Sequence, residues 1–146
     1  ALSHSPSMRF EDLQPGQSAT HSKTVTEADV VLFAGVTGDF NPAHLDQVYA
    51  EKSRFGGRIA HGMLSAGFIS AALAMRLPGP GTIYLSQSLR FLRPVRIGDT
   101  VTARVEVAEL IPRGRRVRLL TTCSNQDGEA LVDGEALVMV PEEEEG

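Results

Sequence analysis

Residues 61–77, HGMLSAGFISAALAMRL, carry one formal charge (Arg76), and Gly, Ala or Ser falls on every face of the helix they predict. A helix that is apolar all round has no solvent face of its own and is buried on most sides. Its small residues let other backbone approach closely, as a sheet wrapped around it would. Pro78-Gly79-Pro80-Gly81 then stops it abruptly. No apolar run in the chain approaches the ~18 residues of a membrane span. The cover for this helix therefore has to be protein.

That cover is legible on both sides of the helix. From Thr82 the hydrophobic period switches to two: Ile83, Leu85, Leu89 and Phe91 alternate with polar residues, interrupted by Gln87. Val101, Ala103, Val105 and Val107 repeat the pattern, and strands near 116–125 and 129–140 follow, joined by the turn Gln126-Asp127-Gly128. Upstream, a strand near 17–25 leads to Thr26, an N-cap for a helix over about 27–36 with Glu27 and Asp29 in its first turn. Val30, Val31, Phe33, Ala34 and Val36 are expected to form one broad buried face on it, and Gly38 to end it. An irregular segment from Asp39 to Ile59, with a short helix around 46–52, completes the chain. The sum is α+β: one long central helix against a strongly curved antiparallel sheet.

The length of 146 residues suits a single domain, 1–146, with residues 1–9 and 141–146 as frayed ends. Of the 18 acidic residues four are Glu142–Glu145, so the body balances 14 bases with 14 acids and has no basic field for nucleic acid. Residues 1–10 lack a basic stretch followed by an apolar one, so no secretory signal is expected there. Cys123, the only cysteine, excludes an internal disulfide and a cysteine metal cage, and suits a reducing, cytoplasmic compartment. It alternates in phase with Val117, Leu119 and Thr121 and reads as half-buried. His4 and His21 stand outside any cluster. With no histidine cluster at ligand spacing, neither a metal nor another cofactor is expected. No Gly-x-Ser-x-Gly elbow supports a hydrolase triad.

The chemistry concentrates in Gly38-Asp39-Phe40-Asn41-Pro42-Ala43-His44. Gly38 permits a conformation closed to other residues; Pro42 fixes its own φ and keeps Asn41 out of the helical region. Asn41 can hold such a turn through side-chain bonds to backbone. The turn brings a carboxylate, Asp39, and an imidazole, His44, together on a stiff scaffold. Such a pair can hold one water between a base and an acid, which hydration and dehydration require. His61 reads as a structural residue at the start of the long helix, and Met63 and Met75 as core fillers. Arg113-Gly-Arg-Arg-Val-Arg118 reads as a solvated hairpin, and Arg90, Arg93 and Arg96 as solvated rather than phosphate-binding.

GDFNPAHLD at 38–46 followed by AHGMLSAGFIS at 60–70 resembles the (R)-specific enoyl-CoA hydratases of the MaoC-like dehydratase family. The resemblance extends through GTIYLSQSLRFLRPVRIGDTV at 81–101 to GEALV at 134–138, nearly the whole chain. It implies a hot dog fold, a homodimer and an acyl-CoA thioester substrate bound near the subunit interface. Carried over by position, Asp39 and His44 match the catalytic pair, and Gly62 the glycine whose N–H polarises the thioester carbonyl. Ser70 falls where the family places a serine near the aspartate, Leu73 where the acyl tail packs, and Asn41 within the motif itself. Rival readings are a dehydratase acting on acyl-carrier-protein substrates, a thioesterase on the same fold, and a non-catalytic acyl-binding subunit.

Overall fold

The computed structural model describes residues 8–142. In chain order the elements are a 3-10 turn at Phe10–Asp12, β1 (Ser18–Thr24), α1 (Glu27–Thr37), α2 (Pro42–Leu45), α3 (Gln47–Glu51) and α4 (Gly62–Met75). The strands β2 (Ile83–Gln87), β3 (Arg90–Phe91), β4 (Thr100–Ile111), β5 (Arg116–Ser124) and β6 (Ala130–Met139) follow. One sheet runs in the order β1-β4-β5-β6-β2, with β3 also paired to β6, and every pairing is antiparallel. The register slips between Tyr84 and Ser86, between Val107 and Glu109, and between Cys123 and Ser124. Such bulges bend and twist a ladder, which curves this sheet around α4. The α+β expectation holds.

The core lies between α4 and the concave face of the sheet. Phe68, Ile69, Ala72 and Leu73 of α4 meet Val101, Ala103, Val105 and Val107 of β4 and Val117 and Leu119 of β5, all within one buried cluster. A fully buried side chain such as Ile69, at 0% exposure, contributes about 1.5–3 kcal/mol. Cys123 is fully buried among these groups rather than half-buried, and burial pushes its thiol up to about 12. It is a packing residue.

Two expectations of burial are corrected. The buried residues of α4 are Ser65, Phe68, Ile69, Ala72 and Leu73, a single stripe at three- and four-residue spacing. Met63 and Met75 stand 55% and 60% exposed, so they are not core fillers. The sheet covers one side of the helix only. Likewise α1 buries just Val30 and Ala34, one turn apart, while Val31 and Val36 are 51% and 84% exposed. A helix lying on one layer contacts it along a narrow row.

The described parts of both ends are anchored rather than frayed. The Met8 N–H donates to the Pro78 carbonyl at 2.9 Å, and Arg115 pairs with Glu142 at 3.2 Å. Residues 1–7 and 143–146, including His4 and three of the terminal glutamates, lie outside the described residues.

Candidate active site

The site begins where α1 ends. Thr26 and Asp29 close a capping box at the start of α1, and Lys23 donates to the Asp29 carboxylate at 2.6 Å. Hydrogen bonds from Lys23 first, and then from the Thr26 N–H, hold the Asp29 carboxyl below the usual carboxylate range. At the other end Gly38 adopts φ 83° and donates its N–H to the Ala34 carbonyl at 2.8 Å. That left-handed residue turns the chain out of the helix. The Asp39 N–H donates to Thr37 Oγ1 at 3.2 Å, and Asp39 Oδ1 accepts from the Asn41 N–H at 3.1 Å. Asn41 Oδ1 accepts from Ala43 N–H at 3.0 Å and caps α2, with Pro42 at its first position. Asn41 is thus the brace of the motif, its side chain engaged with backbone.

α2 carries His44, which is fixed from the other side by the segment before α4. His44 Nδ1 lies 2.7 Å from the Ile59 carbonyl. A carbonyl only accepts, so Nδ1 carries the proton and, in the neutral ring, Nε2 keeps its lone pair for another partner. Arg58 spans the seam: its Nε donates to the His44 carbonyl at 2.6 Å and its Nη1 to Glu27 at 2.8 Å. The Ile59 N–H donates to the Ala43 carbonyl at 3.2 Å, closing the seam between the two segments.

His61 closes the arrangement. It is 2% exposed, and its Nε2–H donates to the backbone carbonyl of Asp39 at 3.0 Å. Its ring lies 3.9 Å from that of His44 and 4.7 Å from that of Phe33, centroid to centroid. Among the described residues nothing hydrogen-bonds Nδ1 of His61. One ligand-type atom from each of Asp39, His44 and His61 falls within 4.8 Å of the others. The expectation of no histidine cluster is therefore corrected: residues 17 apart in sequence are stacked by the Ile59 and Arg58 contacts. In both rings one nitrogen is already committed to a carbonyl.

Gly62 is the first residue of α4, and no side chain caps the helix there. Among the described residues no protein group accepts its N–H, so the donor is free at the positive end of the helix. A Cβ at this position would lie 2.8 Å from Cε1 of Phe91, so the close ring contact requires glycine. Gly62 and His44 share a cavity of about 480 Å³ whose wall includes Ile59, Met63, Ser65, Phe91 and Val132. The cavity thus joins the start of a helix with a free N–H, a largely apolar wall and the His44 ring, which Asp39 approaches from outside the lining.

The predicted site residues divide. His44 and Gly62 line one cavity, and exposed Asp39 does not line it but keeps a carboxylate oxygen within 4.8 Å of a ring nitrogen of His44. Ser70 is half-buried farther along α4, and Leu73 is 1% exposed in the core; neither lines the cavity. Ser65 lines it instead. Sequence reading missed Arg58, placed Phe33 only in the buried face of α1, and undervalued His61, because their roles here depend on contacts across more than 15 residues of chain. Only the His-Gly pair at the helix start hinted at the last of these.

Residues 11–128 match the MaoC like domain. The chain belongs to this MaoC-like family. It is 58% identical over 132 residues to the (R)-specific enoyl-CoA hydratase of Rhodospirillum rubrum, covering 90% of this chain and 91% of that one. It is 57% identical to the 3-hydroxybutyryl-CoA dehydratase of Methylorubrum extorquens, covering 93% of this chain and 86% of that one. Among solved structures, the unliganded R-hydratase PhaJ1 from Pseudomonas aeruginosa superposes with a TM-score of 0.89 at 52% identity, covering 94% of this chain and 88% of that one. The (R)-hydratase from Aeromonas caviae gives 0.87 at 45% identity, over 90% and 99%. The MaoC-like chain has the hot dog fold, with α4 as the central helix and β1–β6 as its wrap.

Proposed function

We propose that this chain is an (R)-specific enoyl-CoA hydratase, a hydro-lyase that reversibly adds water to trans-2-enoyl-CoA to give (3R)-3-hydroxyacyl-CoA. The observation that carries the reading is the convergence of Asp39 and His44 beside a cavity lined by His44 and by Gly62, whose N–H has no acceptor among the described residues. In the forward direction an O–H bond of water breaks, its oxygen bonds to C3, and C2 receives a proton. Asp39 accepts the proton from water, which His44, held by Ile59, orients through its Nε2 lone pair. The proton taken from water is the one that C2 receives, passed from Asp39 directly or through Nε2 of His44. Negative charge gathers on the thioester oxygen, where the Gly62 N–H and the α4 dipole oppose it; one such donor is worth about 3–4 kcal/mol. The reverse reaction uses the same groups, in keeping with relatives named both as hydratases and as dehydratases.

No metal or redox cofactor has a step to perform in this scheme. We assign the whole chain to one domain working as a homodimer in the cytoplasm. The edge strand β2 supports the dimer, with Ile83, Tyr84 and Leu85 each more than a third exposed, as do Met63 and Phe91 beside the cavity. An apolar sheet edge left open is an aggregation hazard that a second copy removes. No helix among the described residues is long and apolar enough to cross a membrane. Ser70 and Leu73 are assigned to the acyl tail by the family pattern. Because Leu73 is core-buried, a tail reaching it must open the packing around α4.

The test is loss of the enoyl-thioester absorbance of crotonyl-CoA and longer enoyl-CoAs, followed by chiral analysis of the product. A 3R product supports the reading; a 3S product or no turnover defeats it. A Leu73→Ala protein that remains folded should raise kcat/KM for an eight-carbon substrate relative to a four-carbon one, and an unchanged ratio removes Leu73 from the tail path.

A further inference from the structure

The charges on the cavity wall are of one sign. Arg54 and Arg93 line the space together with His44 and Gly62, and among the described residues no aspartate or glutamate lines it. Of the arginines elsewhere, Arg58 pairs with Glu27, Arg90 with Asp133 and Arg118 with Glu109 and Glu135. Arg76, Arg96, Arg113 and Arg116 have no carboxylate partner among the described residues but line no part of this cavity. Arg93 pairs with Glu129 at 3.0 Å, in a contact exposed on both sides and worth little in water. Arg54 is different. Its guanidinium lies 5.2 Å from the ring centroid of Phe55, itself on the cavity wall, and no carboxylate pairs with it among the described residues. The stacking leaves the edge of its planar fork open for a partner.

A guanidinium fork held over an aromatic ring suits a phosphate, which it meets through two parallel N–H···O bonds. An apolar wall with a carbonyl-polarising N–H inside, and an open cation on its exposed part, matches a thioester on an arm ending in a phosphate. We propose that Arg54, with Arg93 as a secondary contact, binds a phosphate of the carrier arm that presents the thioester. The inference rests on the hydratase reading and adds the residue that discriminates phosphorylated from unphosphorylated carriers. The phosphate is that of coenzyme A or that of the pantetheine arm of a carrier protein, and both offer the same chemistry.

The experiment compares wild type with Arg54→Gln and Arg93→Gln on S-crotonylpantetheine, which lacks phosphate, and on crotonyl-CoA and crotonyl-carrier protein. Arg54→Gln should raise KM for a phosphorylated substrate about tenfold with kcat within about twofold, and leave both constants for S-crotonylpantetheine unchanged. Arg93→Gln should move KM in the same direction by less. Arg54→Lys, which keeps the charge but loses the fork, should fall between. A shift on crotonyl-CoA alone identifies the nucleotide end as the source of the phosphate. A shift on carrier-bound substrate as well identifies the pantetheine phosphate. Equal KM values for wild type and Arg54→Gln on every substrate, or the same shift on S-crotonylpantetheine, overturn the assignment. If wild type hydrates none of them, the hydratase reading itself fails. Calorimetric titration with CoA against pantetheine then decides Arg54 separately, and equal CoA affinity in wild type and Arg54→Gln overturns it.

Discussion

The ring of His61 stacks 3.9 Å from that of His44, and its Nε2–H holds the carbonyl of Asp39 at 3.0 Å. One buried side chain thereby fixes both halves of the proposed catalytic pair, one through its face and one through its edge. His61 touches no reacting atom in this scheme; it is a positioning residue. His61→Phe keeps the ring and loses the donor, whereas His61→Gln keeps a donor on a side chain of similar reach. We expect His61→Phe to lower kcat by about 10–100-fold with KM little changed, since misplacement of reacting groups has effects of this size. His61→Gln should recover most of the loss. Equal kcat in the two variants at equal melting temperature would reduce His61 to packing.

Asp39→Asn retains the shape of the side chain and its bond from the Asn41 N–H but accepts no proton. Turnover should fall at least ~100-fold, the low end for loss of a general base. His44→Ala should cost a similar factor. The double variant should lose far less than the product of the two, because groups acting on one water behave as a unit. Fully multiplicative losses in steady-state kinetics would place the two residues on separate steps.

Gly62 permits a test of its N–H that avoids the usual ambiguity of backbone groups. Proline suits the backbone of the first helical position, so Gly62→Pro removes the donor without breaking the helix start, although its Cβ displaces the Phe91 ring. Gly62→Ala places the same Cβ against Phe91 but keeps the N–H, and melting temperatures of the two variants control for the rest of the proline ring. Gly62→Pro should lose about 100–1,000-fold in kcat beyond whatever Gly62→Ala loses, the range seen for single oxyanion donors. Equal kcat in the two would remove the N–H from the mechanism.

Stability should report the cap of α1 as pH is lowered. The folded carboxyl of Asp29 titrates below its ordinary value of 3.8 because Lys23 and the Thr26 N–H bond its charged form. Its contribution is therefore present above about 3.8 and is lost as pH falls through the depressed folded value. Asp29→Asn should destabilise the protein at pH 7, and the gap in Tm should narrow as pH drops below that range. Thr26→Ala, which removes an uncharged cap, should cost about 1 kcal/mol with little dependence on pH. A Tm gap for Asp29→Asn that is constant from pH 7 to pH 3 would contradict the assignment.

What was legible in the sequence follows local rules. The extent of α4 shows in its uncharged run and the Pro-Gly stop, the strands of β4 to β6 in their period of two, and the α1 cap in Thr26 and Asp29. Asp39 and His44 were legible as a pair because Gly38, Asn41 and Pro42 leave that five-residue turn few conformations. These signals depend on dihedral preferences and on hydrogen bonds spanning a handful of residues.

The tertiary structure decided everything that depends on which surface meets which. The small residues around α4 predicted burial on most sides, yet the sheet covers one stripe and leaves Met63 and Met75 exposed. The same uncertainty made Val31 and Val36 look buried when only Val30 and Ala34 touch the layer beneath. His61, 17 residues from His44, became its stacking partner only because Ile59 and Arg58 tie the start of α4 to α2. Arg54, one of many arginines in the sequence, was singled out only when the fold put it on the cavity wall beside Phe55 with no carboxylate partner among the described residues. Periodicity tells a helix that it has an apolar face, but the closing of distant segments, at an entropic cost that local pattern does not encode, selects what lies against it.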